Sequence, residues 1–166
     1  SFVIDTTAPT TTVTAVAFDD DTGSSSTDLI THAASQTISG TLSANLLSGE
    51  WVYVSLDNGS TWVAASTTVG SNTWSLADQT LSGSNTLKVK VSDTAGNDAS
   101  VFSANYVLDT TAPSATVSTL RLSADTGSSS TDFITKTAAQ TISGTLSTSL
   151  ASGETRSEER RVGKEC

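Results

Sequence analysis

A repeat with a period of 104 residues constrains this chain more than any other feature. The string DTTAP occurs at residues 5–9 and again at residues 109–113, and 109 − 5 gives the period of 104. The strings DTGSSSTD and QTISGTLS recur at the same offset, and 31 of the 48 positions in residues 3–50 are identical to their equivalents in residues 107–154. A period of this length is that of a whole domain, so it predicts a tandem array of modules rather than a thin solenoid.

The repeat also divides the chain into segments. Residues 1–4 match the end of the last strand of a module and are expected to be the tail of a preceding repeat. Residues 5–108 are the complete module, and residues 109–155 are expected to be the truncated opening of the next one, with its first two strands only. Residues 156–166 hold 4 of the 8 Lys and Arg and the sole Cys. They look like the translation of a sequencing adapter, so they are left out of the fold prediction.

The composition predicts an all-β fold. Ser and Thr account for 59 of the 166 residues, Met is absent, and short runs of Thr and Val are separated by Gly, Asn and Asp. That pattern is typical of many short strands with turns between them. In the complete module we predict seven strands, near residues 11–18, 35–43, 50–56, 60–66, 72–77, 85–92 and 99–108. Seven such strands predict an immunoglobulin-like β-sandwich, and an odd number of alternating strands places its termini at opposite ends.

Two local patterns refine this prediction. The apolar positions that the two copies share in the first strand, Val13 and Val16, are three residues apart, so the alternation breaks. A β-bulge or a switch between sheets would produce that break. Asp57, Asn58 and Gly59 form a strong hairpin signal between the third and fourth strands, because Asn and Gly tolerate positive φ.

Charge and motifs exclude several functional classes. A formal net charge of −9 argues against nucleic acid as a partner, because a phosphate backbone requires a surface rich in Lys and Arg. No stretch is long and apolar enough to insert into a membrane, and Cys166 has no second cysteine with which to form a disulfide. The single histidine, His32, is replaced by Lys136 in the second copy, and no catalytic motif stands out. We therefore predict that the chain is not an enzyme.

Acidic residues gather in three turn-rich places: the loop after the first strand (residues 19–28), the loop before the last strand (residues 93–98), and the module junctions at Asp5 and Asp109. Calcium takes six to eight oxygen ligands in flexible geometry, and loops rich in Asp, Asn and Ser supply them. The alternating strands place the first loop beside Asp109 and the second beside Asp5. A shared cation would then clamp carboxylates that otherwise repel one another.

The alternative is turn chemistry, in which Asp and Asn hydrogen bond to nearby backbone. We favour it for Asp57 and Asp78, and we rank Asp19 and Asp20 low as ligands because the second copy has Ser and Ala there. We favour calcium binding at Asp21, Asp28, Asp93 and Asp109. We also favour it at Asp125 and Asp132, which are the repeat equivalents of Asp21 and Asp28.

Aromatic residues offer a second functional lead. Trp51 and Tyr53 share the face of the third strand opposite its apolar positions and could form a platform on which sugars stack. Trp62 and Trp74 lie where a sandwich needs large core or core-edge residues.

The motifs taken together resemble the bacterial Ig-like repeats of giant RTX-type adhesins. They are DTGSSSTD, ISGT, DNGSTW, SDTAGN and LDTTAP, in that order, and the resemblance covers residues 1–155. It implies export to the bacterial cell surface, a role in an extracellular stalk, neighbouring repeats of the same chain as partners, and Ca²⁺ in and between modules. The ligands that it implies are Asp21, Asp28, Asp93, Asn97, Asp109 and Asp5.

Two functions remain open at this point. One is a structural spacer that holds a distant adhesive tip away from the cell, with a glycan or host surface bound by other parts of the parent protein. The other is a module that itself binds a carbohydrate or a host protein through Trp51 and Tyr53. Exposure of those two rings discriminates between them, because rings covered by a neighbouring strand or loop could not bind.

Overall fold

Strands make up all the regular secondary structure that the computed structural model describes, which covers residues 2–23, 25–151 and 154. The segment 156–166 lies outside these residues. The chain divides into two compact units, residues 1–111 and 112–166. The first unit contains β1 (Val13–Phe18), β2 (Ile30–Thr31), β3 (Ser35–Leu42), β4 (Glu50–Ser55), β5 (Val63–Ala64), β6 (Ser66–Thr67), β7 (Thr73–Thr80), β8 (Asn85–Asp93) and β9 (Phe102–Leu108). The second contains β10 (Val117–Leu122) and β11 (Ile142–Leu146).

The first unit is a sandwich of two sheets. One sheet has the strand order β1-β3-β7-β6, and the other has the order β2-β9-β8-β4-β5. In β8 the apolar residues Leu87, Val89 and Val91 are fully buried, while Lys88 and Lys90 alternate with them on the outer face. Ile38 of β3 and Val52 and Val54 of β4 complete the centre of the core. Because both sheets contribute to this core, the predicted all-β sandwich is confirmed.

The predicted strand at residues 60–66 is wrong in one respect, because it is two short strands in different sheets. β5 pairs with β4, whereas β6 pairs with β7. Ala65 lies buried at the crossing, where its N–H donates to the carbonyl of Val52. β2 was not predicted, since two residues are too few to show a period.

The β-bulge predicted in the first strand is confirmed. The pairing of β1 with β3 shifts register between Val13 and Ala15. The pairing of β10 with β11 shifts at the equivalent place, between Val117 and Thr119. Both copies of the repeat therefore fold this hairpin in the same way.

Gly40 of β3 lies where two elements approach closely. It pairs with Trp74 of β7, and a Cβ added to it would lie 2.2 Å from the carbonyl oxygen of Ala15 and 2.6 Å from Cζ2 of Trp74. A side chain cannot fit there, so glycine is required for contact rather than for its backbone freedom.

The second unit, as described, is a two-stranded sheet with its apolar positions open to solvent. Val117 is 66% exposed and Ile142 is 59% exposed, whereas their repeat equivalents in the first unit, Val13 and Ile38, are 8% and 0% exposed. The same hairpin is thus part of a core in the first unit and uncovered in the second.

Candidate functional site

The loop between β1 and β3, residues 19–34, is shaped by two of the predicted ligands. Asp21 Oδ2 accepts a hydrogen bond from the N–H of Leu29 at 3.0 Å, and Asp28 Oδ1 accepts one from the N–H of Ile30 at 3.1 Å. The first of these bonds holds Leu29 in the left-handed region at φ 59°, which a leucine adopts only at some cost in free energy. Its side chain is buried. Turn chemistry therefore operates at both aspartates.

The other carboxylate oxygen of Asp21 has no such role. Among the described residues, Asp21 Oδ1 is buried and finds no hydrogen-bond partner, and the same holds for Asp125 Oδ1 in the second unit. A buried acceptor without a partner costs about 1–3 kcal/mol, and more when it is charged. A cation at this oxygen would remove that cost.

Gln36 anchors this loop from beneath, a role that the sequence analysis missed. Its buried side chain donates from Nε2 to the carbonyls of Asp20 and Ala33, at 3.0 and 2.8 Å, and its Oε1 accepts from the N–H of Asp20. Gln140 makes the equivalent bonds in the second unit. The feature of the sequence that could have pointed to Gln36 is its recurrence, as the first residue of the repeated string QTISGTLS.

The same loop is tied to the linker that leaves the module. β2 runs parallel to β9, with Ile30 opposite Val107. The N–H of Asp109 donates to the carbonyl of Thr31 at 2.9 Å, while Asp109 Oδ1 accepts from the N–H of Thr111. The predicted position of this loop beside Asp109 is confirmed.

The loop between β8 and β9, residues 94–101, is organised by Asp93 and Asn97. Asp93 Oδ1 accepts from the N–H groups of Ala95 and Asn97, both at 2.9 Å, and its Oδ2 accepts from Asn97 Nδ2 at 2.9 Å. The bond from the Asn97 side chain has the largest effect and lowers the pKa of Asp93 below its ordinary value of 3.8, against a weaker opposing effect of burial. Both oxygens of this carboxylate are thus engaged within the loop.

Asn97 also connects this loop to the linker that enters the module. Its Nδ2 donates to the carbonyl of Asp5 at 3.1 Å and lies 3.5 Å from that of Thr7. Asp5 Oδ1 accepts from the N–H of Thr7. The predicted position of Asp5 beside this loop is confirmed, and the contact is a hydrogen bond from a neutral amide.

The predicted ligands therefore fall into two groups at opposite ends of the module. Asp5, Asp93 and Asn97 lie at the entry end. Asp21 and Asp28 lie at the exit end, in the loop that contains β2. In that strand, the carbonyl of Thr31 accepts a hydrogen bond from the N–H of Asp109. Within the described part of the chain, no three or more His, Cys, Asp or Glu side chains form a group that could hold a metal ion.

Turn chemistry is confirmed at one of the two aspartates for which we favoured it, Asp57, whereas Asp78 lies inside strand β7 rather than in a turn. Asp57 accepts from the hydroxyl of Thr61 at 2.6 Å, from its N–H at 2.8 Å and from the hydroxyl of Ser55 at 2.7 Å. These bonds, led by the Thr61 hydroxyl, lower the pKa of Asp57 to about 2. Asp78 takes a φ of 57°, at the irregularity where β7 pairs with β3.

The aromatic residues occupy both faces of the β4 sheet. Trp51 is 40% exposed and Tyr53 is half-buried, so neither residue is fully buried. Trp74 is in the core, as predicted. Trp62 is not; it is half-buried on the outer face, with Lys90 Nζ 4.5 Å from the centre of its ring.

Comparison with known proteins adds one finding. Residues 7–110 match a family model described as a bacterial Ig-like domain, and this span includes both loops and all nine strands of the first unit. No curated protein matches the chain. In the part of the chain that the structure describes, no helix has the length and apolar character needed to cross a membrane.

Proposed function

The chain belongs to the bacterial Ig-like domain family, and from this we propose that it is a spacer module in the stalk of a large, exported bacterial surface adhesin. Bacterial Ig-like domains are generally extracellular surface modules, and the family is typically non-catalytic. A spacer keeps a distant part of its parent protein away from the cell, so its own task is mechanical: it must hold its direction from one linker to the next.

The observation that supports this proposal is the attachment of both linkers to the module. At the exit end, main-chain hydrogen bonds join residues 107–109 to the loop that contains Asp21 and Asp28. At the entry end, Asn97 joins the backbone of Asp5 to the loop that begins at Asp93. Each linker is therefore fixed to a loop before it leaves the sandwich, which limits hinging at the module's ends.

We also propose that Ca²⁺ stiffens these ends. The buried, unpartnered Oδ1 of Asp21 supports the proposal, as does the same atom of Asp125 in the second unit. Asp28, or Asp132 in the repeat, would be the second carboxylate. The remaining ligands would be hydroxyl and carbonyl oxygens, which Ca²⁺ accepts readily. Bound there, the ion would supply positive charge to a loop that is otherwise acidic.

Calcium removal tests the metal proposal through thermal stability. We expect Ca²⁺ to raise the melting temperature of the parent by several degrees relative to excess chelator, because an ion bound by the folded state alone stabilises it by mass action. In Asp21→Asn an amide oxygen still accepts from Leu29 but the charge is gone, so the variant should not respond to Ca²⁺. Asp78→Asn is the matched control and should respond as the parent does. Superimposed melting curves of the parent in Ca²⁺ and in chelator would contradict the proposal.

Small-angle scattering tests the spacer proposal in a chain with two complete copies of residues 5–108. Asp109→Ala keeps the backbone bond to Thr31 but removes the carboxylate, so each sandwich should melt as before. We expect the parent pair to extend when Ca²⁺ is added and the variant pair to stay flexible. Equal extension of the two would show that Asp109 is a turn residue only.

A further inference from the structure

The outer face of the β5-β4-β8 sheet holds a cluster of aromatic and basic side chains. We call it the aromatic–lysine face, and its members are Trp51, Tyr53, Trp62, Lys88 and Lys90. β4 and β8 contribute their outward positions, whereas their inward positions form the core. None of these side chains is needed to fill the sandwich.

Pairing between the strands brings the members of this face together. Tyr53 lies opposite Lys90, whose Nζ is 4.5 Å from the centre of the Trp62 ring. A Cβ added to Gly59 would lie 3.6 Å from Cδ of Lys88 and 3.7 Å from Cζ2 of Trp62, so these two side chains meet at the same turn. Trp51 lies two residues before Tyr53 on the same face, about 7 Å along the strand.

The charge of this face is opposite to that of the module around it. Residues 5–108 contain ten Asp and Glu but two Lys and no Arg, and both lysines lie here. Lys90 pairs with Asp98, with Nζ 2.7 Å from Oδ2. Among the described residues Lys88 forms no ion pair, so its charge is available to an incoming anion.

We propose that the aromatic–lysine face binds an acidic polysaccharide, of the class built from uronic acids. Sugar rings would stack on Trp51 and Tyr53, and a carboxylate of the sugar would pair with Lys88. Trp and Tyr provide large contact areas at little cost in conformational entropy, which suits an open sheet face that has no deep pocket. The proposal goes beyond the spacer function and does not depend on it.

Other anions fit this face less well. A nucleic acid would need many phosphate contacts, and two lysines on a chain of net charge −9 do not supply them. An acidic peptide matches the charge of the lysines, but it has no regular array of flat, apolar ring faces for Trp51 and Tyr53. The uronic acid chain has both the charge and the rings.

Calorimetry of the full chain with oligogalacturonate tests the proposal, in excess chelator so that Ca²⁺ cannot bridge the sugar to acidic loops. We expect the parent to bind the acidic oligomer and to bind an uncharged gluco-oligosaccharide of equal length at least ~10-fold more weakly, a difference of ~1.4 kcal/mol. Trp51→Ala should weaken binding of the acidic oligomer ~10-fold or more, as loss of an aromatic contact at the centre of an interface does. Lys88→Gln should weaken it several-fold.

Matched controls separate the face from general effects of charge and hydrophobicity. Phe2→Ala removes an exposed aromatic ring elsewhere, and Lys136→Gln removes one positive charge from the second unit. Both should bind as the parent does. If Trp51→Ala fails to fold, Tyr53→Ser replaces it as the test of stacking.

Four results would overturn the proposal. They are no binding of oligogalacturonate by the parent, equal binding of the uncharged oligomer, unchanged binding by a folded Trp51→Ala, and polyglutamate binding as tightly as the sugar and displacing it. The last result would assign the face to an acidic protein segment instead.

Discussion

Single residues in this module serve mainly to shape loops, and the aspartates show how far that was predictable. Asp57 follows from the local string DNG, so its turn role could be predicted from neighbours in the sequence. Gln36 could not be predicted in the same way, because its partners Asp20 and Ala33 converge on it only after the loop has folded back over β3. Recurrence in the second copy marked the position but did not say what it does.

Asp57 should give the module a specific dependence on pH. Its pKa is lowered from 3.8 to about 2 in the folded state, so the ionised form stabilises the fold. That stabilisation is fully present above the unfolded pKa and is lost as the pH falls from about 4 to about 2. The melting temperature of Asp57→Asn should therefore fall less over that pH range than the melting temperature of the parent does.

The control for this prediction is Asp78→Asn, which changes the charge equally at a residue outside this hydrogen-bond network. Its pH profile should follow that of the parent. An Asp57→Asn profile parallel to that of the parent would show that the turn does not depend on the charge of Asp57.

At the scale of strands, alternation of apolar residues was the strongest predictor. β8 follows it from Leu87 to Val91, so both its position and its buried face were predictable. β5 and β6 have two residues each, and which sheet each joins depends on the crossing at Ala65. A pattern of period two has no meaning over so short a length, which is why the split was missed.

The contact between β3 and β7 should be sensitive to a single methyl group. Gly40→Ala would place a Cβ 2.2 Å from the backbone carbonyl of Ala15, which cannot move without disturbing the pairing of β1. We expect a loss of about 3 kcal/mol or more in the free energy of unfolding, at the upper end of the usual cost of overpacking. Denaturant unfolding measures it.

Ser39→Ala is the matched control, since it is the adjacent residue of β3 and points to the other face. It should change the free energy of unfolding by less than about 1 kcal/mol. If Gly40→Ala were equally mild, the close approach of Trp74 and Ala15 would not be a constraint on the fold.

For the molecule as a whole, the repeat allowed one unit to be compared with the other. The shared hairpin and loop follow from shared residues, but their burial does not, because burial depends on the strands that face them. The sandwich could thus be predicted from the sequence. From the sequence we predicted only that each linker lies close to a loop. The structure adds how each is attached, through the main-chain pairing of β2 at one end and the side-chain amide of Asn97 at the other. The domain boundaries stay predictions.

Limited proteolysis should distinguish the two units. Two strands with an uncovered apolar face are marginally stable in water. We therefore expect a protease of broad specificity to cut within residues 112–151 well before it cuts within residues 13–108. Mass spectrometry of the early fragments measures the order, and equal resistance of the two segments would contradict the expected instability of the β10–β11 sheet.

The unequal attachment of the two linkers has a consequence for a chain under tension. The exit linker is held by main-chain bonds through Val107 and Asp109, with a further bond from the N–H of Leu108 to Ser84 Oγ. The entry linker is held chiefly by one side-chain amide, that of Asn97. A pull along the chain should release the entry side first, adding about 3.4 Å of slack for each freed residue while both sheets stay intact. The module would lengthen slightly under load before it unfolds.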